Sequence, residues 1–160
     1  MGTPSSVQSD SGLTAQEYAD ALLGSTNPRP ETRDTIADIA DLYGLKFIGY
    51  EVGAHDTRGT RAVLDAQMLP EVGEAYEQYY VNLFKSGMDE VNQFAVGSRW
   101  HWGTYGGANF AEAVWAGATP ASAGTSVQNI GVWGLTPGTH TSNTPKYEAA
   151  VRVARMYTTT

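Results

Sequence analysis

The residue with the clearest chemical potential is Glu51. It closes a short apolar run (Phe47, Ile48, Tyr50) within Lys46-Phe-Ile-Gly-Tyr-Glu-Val-Gly-Ala-His55, with Gly53 two residues on and His55 two beyond that. A carboxylate at the C-terminal end of a parallel strand sits where α/β folds build their sites, and it can serve there as nucleophile, base or hydrogen-bond acceptor. His55 has two readings: it orients Glu51 or binds a substrate hydroxyl, or it caps a backbone group in a loop. Trp100-His-Trp102, followed by Tyr105, supplies flat apolar faces suited to stacking on a ligand ring. Large aromatics in a Gly-rich loop equally serve to plug the top of a core. His55, Asp56, His101 and His140 could be imagined as metal ligands, but no pair has ligand spacing on a regular element, so no metal and no cofactor is expected.

These residues need elements to hold them. Thr14-Ala-Gln-Glu17 is a capping box with Leu13 and Tyr18 placed as a hydrophobic staple, predicting a helix from about Ala15 to Leu23 that stops at Gly24. Glu31 to Tyr43 carries Ile36, Ile39, Ala40 and Tyr43 at helical spacing, with Gly44 as the stop. Leu45 to Tyr50 then reads as a short buried strand, and His55 to Gln67 as a long polar loop. Pro70 opens a helix striped by Val72, Tyr76, Tyr79, Tyr80, Leu83 and Phe84, closing at Gly87. Tyr76, Tyr79 and Tyr80 read as packing. Glu90 to Val96 is a second strand, and Ser98 to Leu135 a long aromatic loop holding all four tryptophans. Thr144-Pro145 starts a last helix striped by Tyr147, Ala150, Val151 and Ala154. Helix, strand, loop, helix, strand is the repeat of an α/β protein with parallel strands.

The 160 residues suffice for one domain with a real core, here residues 1–160 with 1–12 as a flexible lead-in. Hydrophobic content of 41% with 17% charged residues suits a folded, loop-rich chain rather than a disordered one. A formal net charge of −7 argues against nucleic acid or an anionic membrane surface as partner. With no cysteine, disulfides, thiol catalysis and Cys-ligated zinc are ruled out. No apolar run approaches the length of a membrane span, and the polar, Ser/Gly-rich residues 1–12 do not read as a signal peptide.

Tyr50-Glu-Val-Gly-Ala-His55 resembles the strand-seven motif "YEGGQH" of bacterial and phage proteins with a glycoside-hydrolase-like (β/α)8 barrel. The resemblance continues in order: Met68 to Gly87 is similar to a helix of the type "MxxxYxxYLxxWKxxG", Val91 to Trp102 and Gly131-Val-Trp-Gly134 to a strand-eight segment with a "GxWG" element, and Pro145-Lys-Tyr-Glu-Ala149 to a closing "PKYxA" helix. It covers roughly Glu31 to Met156. The resemblance implies a partial barrel of two parallel strands, three to four helices and a long Gly/aromatic-rich loop. In clan A of that class the nucleophilic glutamate ends strand seven, the position Glu51 matches, and a tryptophan after strand eight lines the sugar site. Trp100, Trp102, Tyr105, Trp133 and His55 are the implied glycan-binding residues.

Retaining glycosidases need a second carboxyl group about 5 Å from the first. The clan's acid/base residue ends strand four, which the resemblance does not reach. Asp89 and Glu90 enter the second strand from the opposite end, and Glu112 lies in the aromatic loop. Two readings follow: a carbohydrate-active barrel segment contributing Glu51 and an aromatic loop, or a non-catalytic structural or adhesion protein, such as a phage virion or tail component, that keeps the fold. Two strands leave pairing edges and an apolar face open, so a glycan and either a further protein chain or a copy of this one are the expected partners. An extracellular or virion-associated setting is the one this reading favours.

Overall fold

The computed structural model describes residues 13–26, 30–53, 61–94, 96, 134–136 and 143–158. The element order is α1 (Ala15–Leu23), α2 (Pro30–Tyr43), β1 (Ile48–Val52), α3 (Arg61–Ala66), α4 (Pro70–Lys85), β2 (Glu90–Gln93) and α5 (Pro145–Tyr157). The mixed α/β architecture is as expected, with the two strands parallel and side by side. Five helices are present among the described residues, where three or four were expected. The addition is α3, inside the stretch read as loop between His55 and Gln67. Both strands also shift: β1 runs Ile48–Val52 rather than Leu45 to Tyr50, and β2 stops at Gln93 rather than Val96.

The helix ends follow local chemistry. The Thr14 hydroxyl accepts from the Glu17 amide, and the Glu17 carboxylate accepts from the Thr14 amide at 2.8 Å. That exchange holds the Glu17 carboxyl below its ordinary pKa, through hydrogen bonds to the Thr14 backbone and side chain. Leu13 and Tyr18 both pack on the core, as a staple does. Gly24 ends α1 in an ordinary right-handed conformation, whereas Gly44 (φ +62°) and Gly87 (φ +90°) are left-handed stops. At both, the following amide reaches back five residues, Leu45 to the Ala40 carbonyl at 2.8 Å and Met88 to the Leu83 carbonyl at 3.3 Å.

The core gathers on α4. Its residues Val72, Ala75, Tyr76, Tyr79, Tyr80 and Leu83 are buried, with α1 and α5 packed on the helix and α3 packed in turn on α1. Tyr76 and Tyr80 meet edge to face with ring centroids 5.8 Å apart. Helix α5 lies beside α4 and runs in the same direction. Gly73 faces Pro145 near both starts, the Arg152 guanidinium pairs with the Glu77 carboxylate at 2.7 Å midway, and Phe84 stacks on Tyr157 at 4.2 Å near both ends. A Cβ on Gly73 would stand 2.9 Å from both Cβ and O of Pro145, so the glycine sets how closely the two helices approach.

Three apolar faces depart from the sequence reading. In α2 only Ala40 of the expected stripe is buried; Ile36, Ile39 and Tyr43 are exposed, and the helix touches the body through Arg33, Ala37 and Ala40 instead. In α5 the fully buried residues are Lys146, Ala149 and Val153; of the expected stripe Tyr147 and Ala150 are half-buried against the core, and with Val151 and Ala154 they line an open apolar groove of ≈310 Å³ shared with Val91 and Val96. Strand β1, expected to be buried, exposes Ile48 (48%) and Tyr50 (77%). In each case the missing cover is a non-local partner that the spacing of apolar residues cannot supply.

Candidate functional site

Glu51 occupies the penultimate position of β1, at the C-terminal end of the parallel pair. The strand does not reach it by regular alternation. Ile48 pairs with Glu90 and Gly49 with Val91, but Val52 pairs with Gln93, so β1 has one residue more than β2 across the same span. Tyr50 and Glu51 together oppose Asn92, a β-bulge, and bulges in parallel pairs are uncommon. The bulge puts Gly49 and Val52 on one side and both Tyr50 and Glu51 on the other, in accord with the strand's burial pattern.

The two faces of the pair are unlike. One is covered by α4. Gly49 and Val52 are buried there, Val91 packs on the core, and the Tyr80 hydroxyl donates to the Gln93 amide oxygen. Burial pushes the Tyr80 phenol well above its ordinary pKa, with Tyr76 and Tyr79 adding to the shift. The other face carries Ile48, Tyr50, Glu51, Glu90 and Asn92, all exposed. Fully parallel strands are normally covered on both faces, so this is the face on which a ligand or another layer would sit.

Two glycines shape the site. A Cβ on Gly49 would lie 2.7 Å from Cγ2 of Val52, because the bulge folds Val52 back over it. Gly53 has φ +147°, and a Cβ there would lie 2.7 Å from Nε2 of Gln93. The Gln93 side chain therefore crosses the end of β1 and donates to the Phe94 carbonyl at 3.0 Å.

Just beyond the C-terminal end of β2, Val96 meets residues 134–136. Thr136 donates from its amide to the Val96 carbonyl at 3.1 Å, and the Thr144 hydroxyl donates to the Leu135 carbonyl. Residues 96 and 134–136, which flank residues 97–133, thus sit together at the strand end that carries Glu51. His55, Trp100, Trp102, Tyr105 and Trp133 lie outside the described residues, as do Glu112, Asp56, His101 and His140. Among the described residues no group of three or more His, Asp or Glu side chains is arranged to hold a metal ion.

Asp89 and Glu90 belong to the other end of the pair. The Asp89 carboxylate accepts from the Phe47 amide at 2.8 Å, and the Asp89 amide donates to the Phe47 carbonyl at 2.9 Å. Glu90 pairs with Lys46 at 2.5 Å, which raises the lysine pKa mainly through that hydrogen bond. Both groups fasten the start of the strands together, and neither is placed to work with Glu51 as an acid/base partner. Tyr50 and Asn92 share the exposed face of Glu51, which the sequence alone does not show: Tyr50 belongs to an apolar run that reads as buried, and the face of Asn92 is settled only by the register with β1.

No family model, curated protein or solved structure matches the chain. No helix among the described residues is long and apolar enough to cross a membrane.

Proposed function

We propose that this chain is a carbohydrate-active sector of a larger parallel α/β architecture, barrel-like in type, whose glycan site is built at the C-terminal ends of β1 and β2. The observation that carries this reading is the bulge that turns Glu51 onto an exposed sheet face, at the end where Val96 and Thr136 meet. Glu51 is the proposed nucleophile, or the acceptor for a sugar hydroxyl where no chemistry follows. His55, Trp100, Trp102, Tyr105 and Trp133 are the proposed glycan contacts supplied around it. A glycosidase of the retaining type also needs a second carboxyl group about 5 Å away. In this proposal a further chain, or a copy of this one, covers the open strand edges and the exposed face of α2, and that partner brings the second carboxyl.

The non-catalytic reading is favoured by a separate observation. The two other carboxylates of the strand pair, Asp89 and Glu90, are engaged at its opposite end with Phe47 and Lys46. A structural or adhesion component that binds a glycan without cleaving it accounts for a Glu51 that neither Asp89 nor Glu90 joins. One experiment separates the two: hydrolysis of a panel of polysaccharides by the native assembly, with Glu51→Gln beside the wild type. Turnover abolished by Glu51→Gln with the fold intact supports catalysis. Binding without turnover in the wild type supports the adhesion reading, and turnover that survives Glu51→Gln removes Glu51 from the mechanism.

A further inference from the structure

We infer that Tyr50 and Asn92 complete a one-ring sugar subsite around Glu51, an assignment that rests on the glycan reading above. In a regular strand, neighbours point to opposite faces, and Tyr50 would be buried beneath the sheet if Glu51 were exposed. The extra residue in β1 sends both to the same side, opposite Asn92. Tyr50 is 77% exposed although it lies in the middle of a strand, and the exposed pair Tyr50–Glu51 sits between buried Gly49 and buried Val52. An aromatic ring set on a sheet in this way presents a large flat apolar face at low cost in conformational freedom. The face of a pyranose ring that carries axial C–H bonds is its natural complement. The sugar hydroxyls then point outward at the ring edge, where the Glu51 carboxylate can accept and the Asn92 amide can both donate and accept. The three side chains supply the two features a sugar ring requires, a flat apolar floor and polar groups at its rim.

Gly49 is the residue that makes this arrangement possible. With a Cβ only 2.7 Å from Cγ2 of Val52, alanine at position 49 would push Val52 out of its place behind the bulge. The pairing would then favour regular alternation, which returns either Tyr50 or Glu51 to the covered face.

The test is a calorimetric titration of the native assembly with cellohexaose, chitohexaose and maltohexaose. For a hexaose that the wild type binds, Tyr50→Ala should weaken affinity by roughly tenfold or more, a step of the size a lost aromatic contact gives. Tyr50→Phe should stay within about twofold, because the ring face is kept, and Tyr50→Trp should bind as well or better. Asn92→Ala should weaken binding by a smaller factor. Circular dichroism should be unchanged in all four, since these side chains are exposed. Rescue by Phe and Trp distinguishes stacking from a structural role. Wild-type affinity in Tyr50→Ala, with Glu51→Gln still impaired, would overturn the subsite while leaving the glycan reading standing. Absence of binding to all three hexaoses by the wild type would overturn the glycan reading, and the subsite with it.

Discussion

Replacing Gly73 with alanine sets two physical effects against each other at one position. Gly73 lies within α4, where alanine is favoured over glycine by about 1 kcal/mol on helix propensity alone. Its hydrogen faces the start of α5, and a Cβ would meet Cβ and O of Pro145 at 2.9 Å and the Pro145 carbonyl carbon at 3.1 Å. Two of these three atoms are backbone, and the third belongs to a ring with no rotamer to escape into. Relief therefore requires moving the start of α5, which is itself fixed by the buried Thr144 cap and the fully buried Lys146. Overpacking of this kind costs roughly 1–3 kcal/mol, and the rigidity of the contact places it in the upper half of that range. The net expectation is a destabilisation of about 1–2 kcal/mol, or roughly 3–6 °C in Tm for a chain of this size. The assay is thermal and urea unfolding of wild type and Gly73→Ala. Gly44→Ala is the control: no atom lies within 4 Å of its Cβ position, so only the left-handed conformation, φ +62°, opposes the change, at about 1 kcal/mol. A Gly73→Ala protein as stable as the wild type, or more so, would refute the close approach of α4 and α5.

Other consequences follow from single residues. Lys146 is fully buried over the Tyr76 ring at 5.3 Å, and burial drives its pKa well below the ordinary lysine value. In the window between that lowered pKa and the unfolded value near 10.4, the unfolded chain binds more protons, so stability should rise with pH across it and fall as pH drops. Lys146→Met should flatten that slope and stabilise the protein at neutral pH by on the order of 1 kcal/mol, read from urea midpoints at pH 7 and pH 9.5. Thr144→Ala removes both the cap on the Tyr147 amide and the bond to the Leu135 carbonyl, and should cost about 1–2 kcal/mol in the same assay. Glu51→Gln should leave unfolding within about 0.5 kcal/mol of wild type, because the side chain is exposed; a larger loss would make Glu51 a structural residue.

The parts of the fold legible in the sequence are those fixed within a few residues along the chain. Thr14 and Glu17, Thr144 and Pro145, and the glycines at 44 and 87 marked helix ends because capping involves only near neighbours. The parallel pairing of the strands followed from their alternation with helices. Helix α3 was missed because six residues, Arg61 to Ala66, are too short to establish a period. The burial of Lys146 ran against its type, and the exposure of Ile36, Ile39 and Tyr43 ran against theirs, because each depends on what lies across a non-local contact. In the site, the position of Glu51 near a strand end was legible from the run that precedes it. Its orientation was not, since a bulge is a property of two strands counted against each other, Tyr50 and Glu51 against Asn92.

The most direct test of the account is a titration of the isotopically labelled chain, within its native assembly, with the same three hexaoses, followed by amide and side-chain NMR shifts. The account predicts that the largest changes cluster on Tyr50, Glu51 and the Asn92 side-chain amide. Residues on the covered face, Val52, Val91 and Gln93, should shift little. Shifts confined to other surfaces, such as the groove beneath α5, or no shifts with any hexaose, would contradict it.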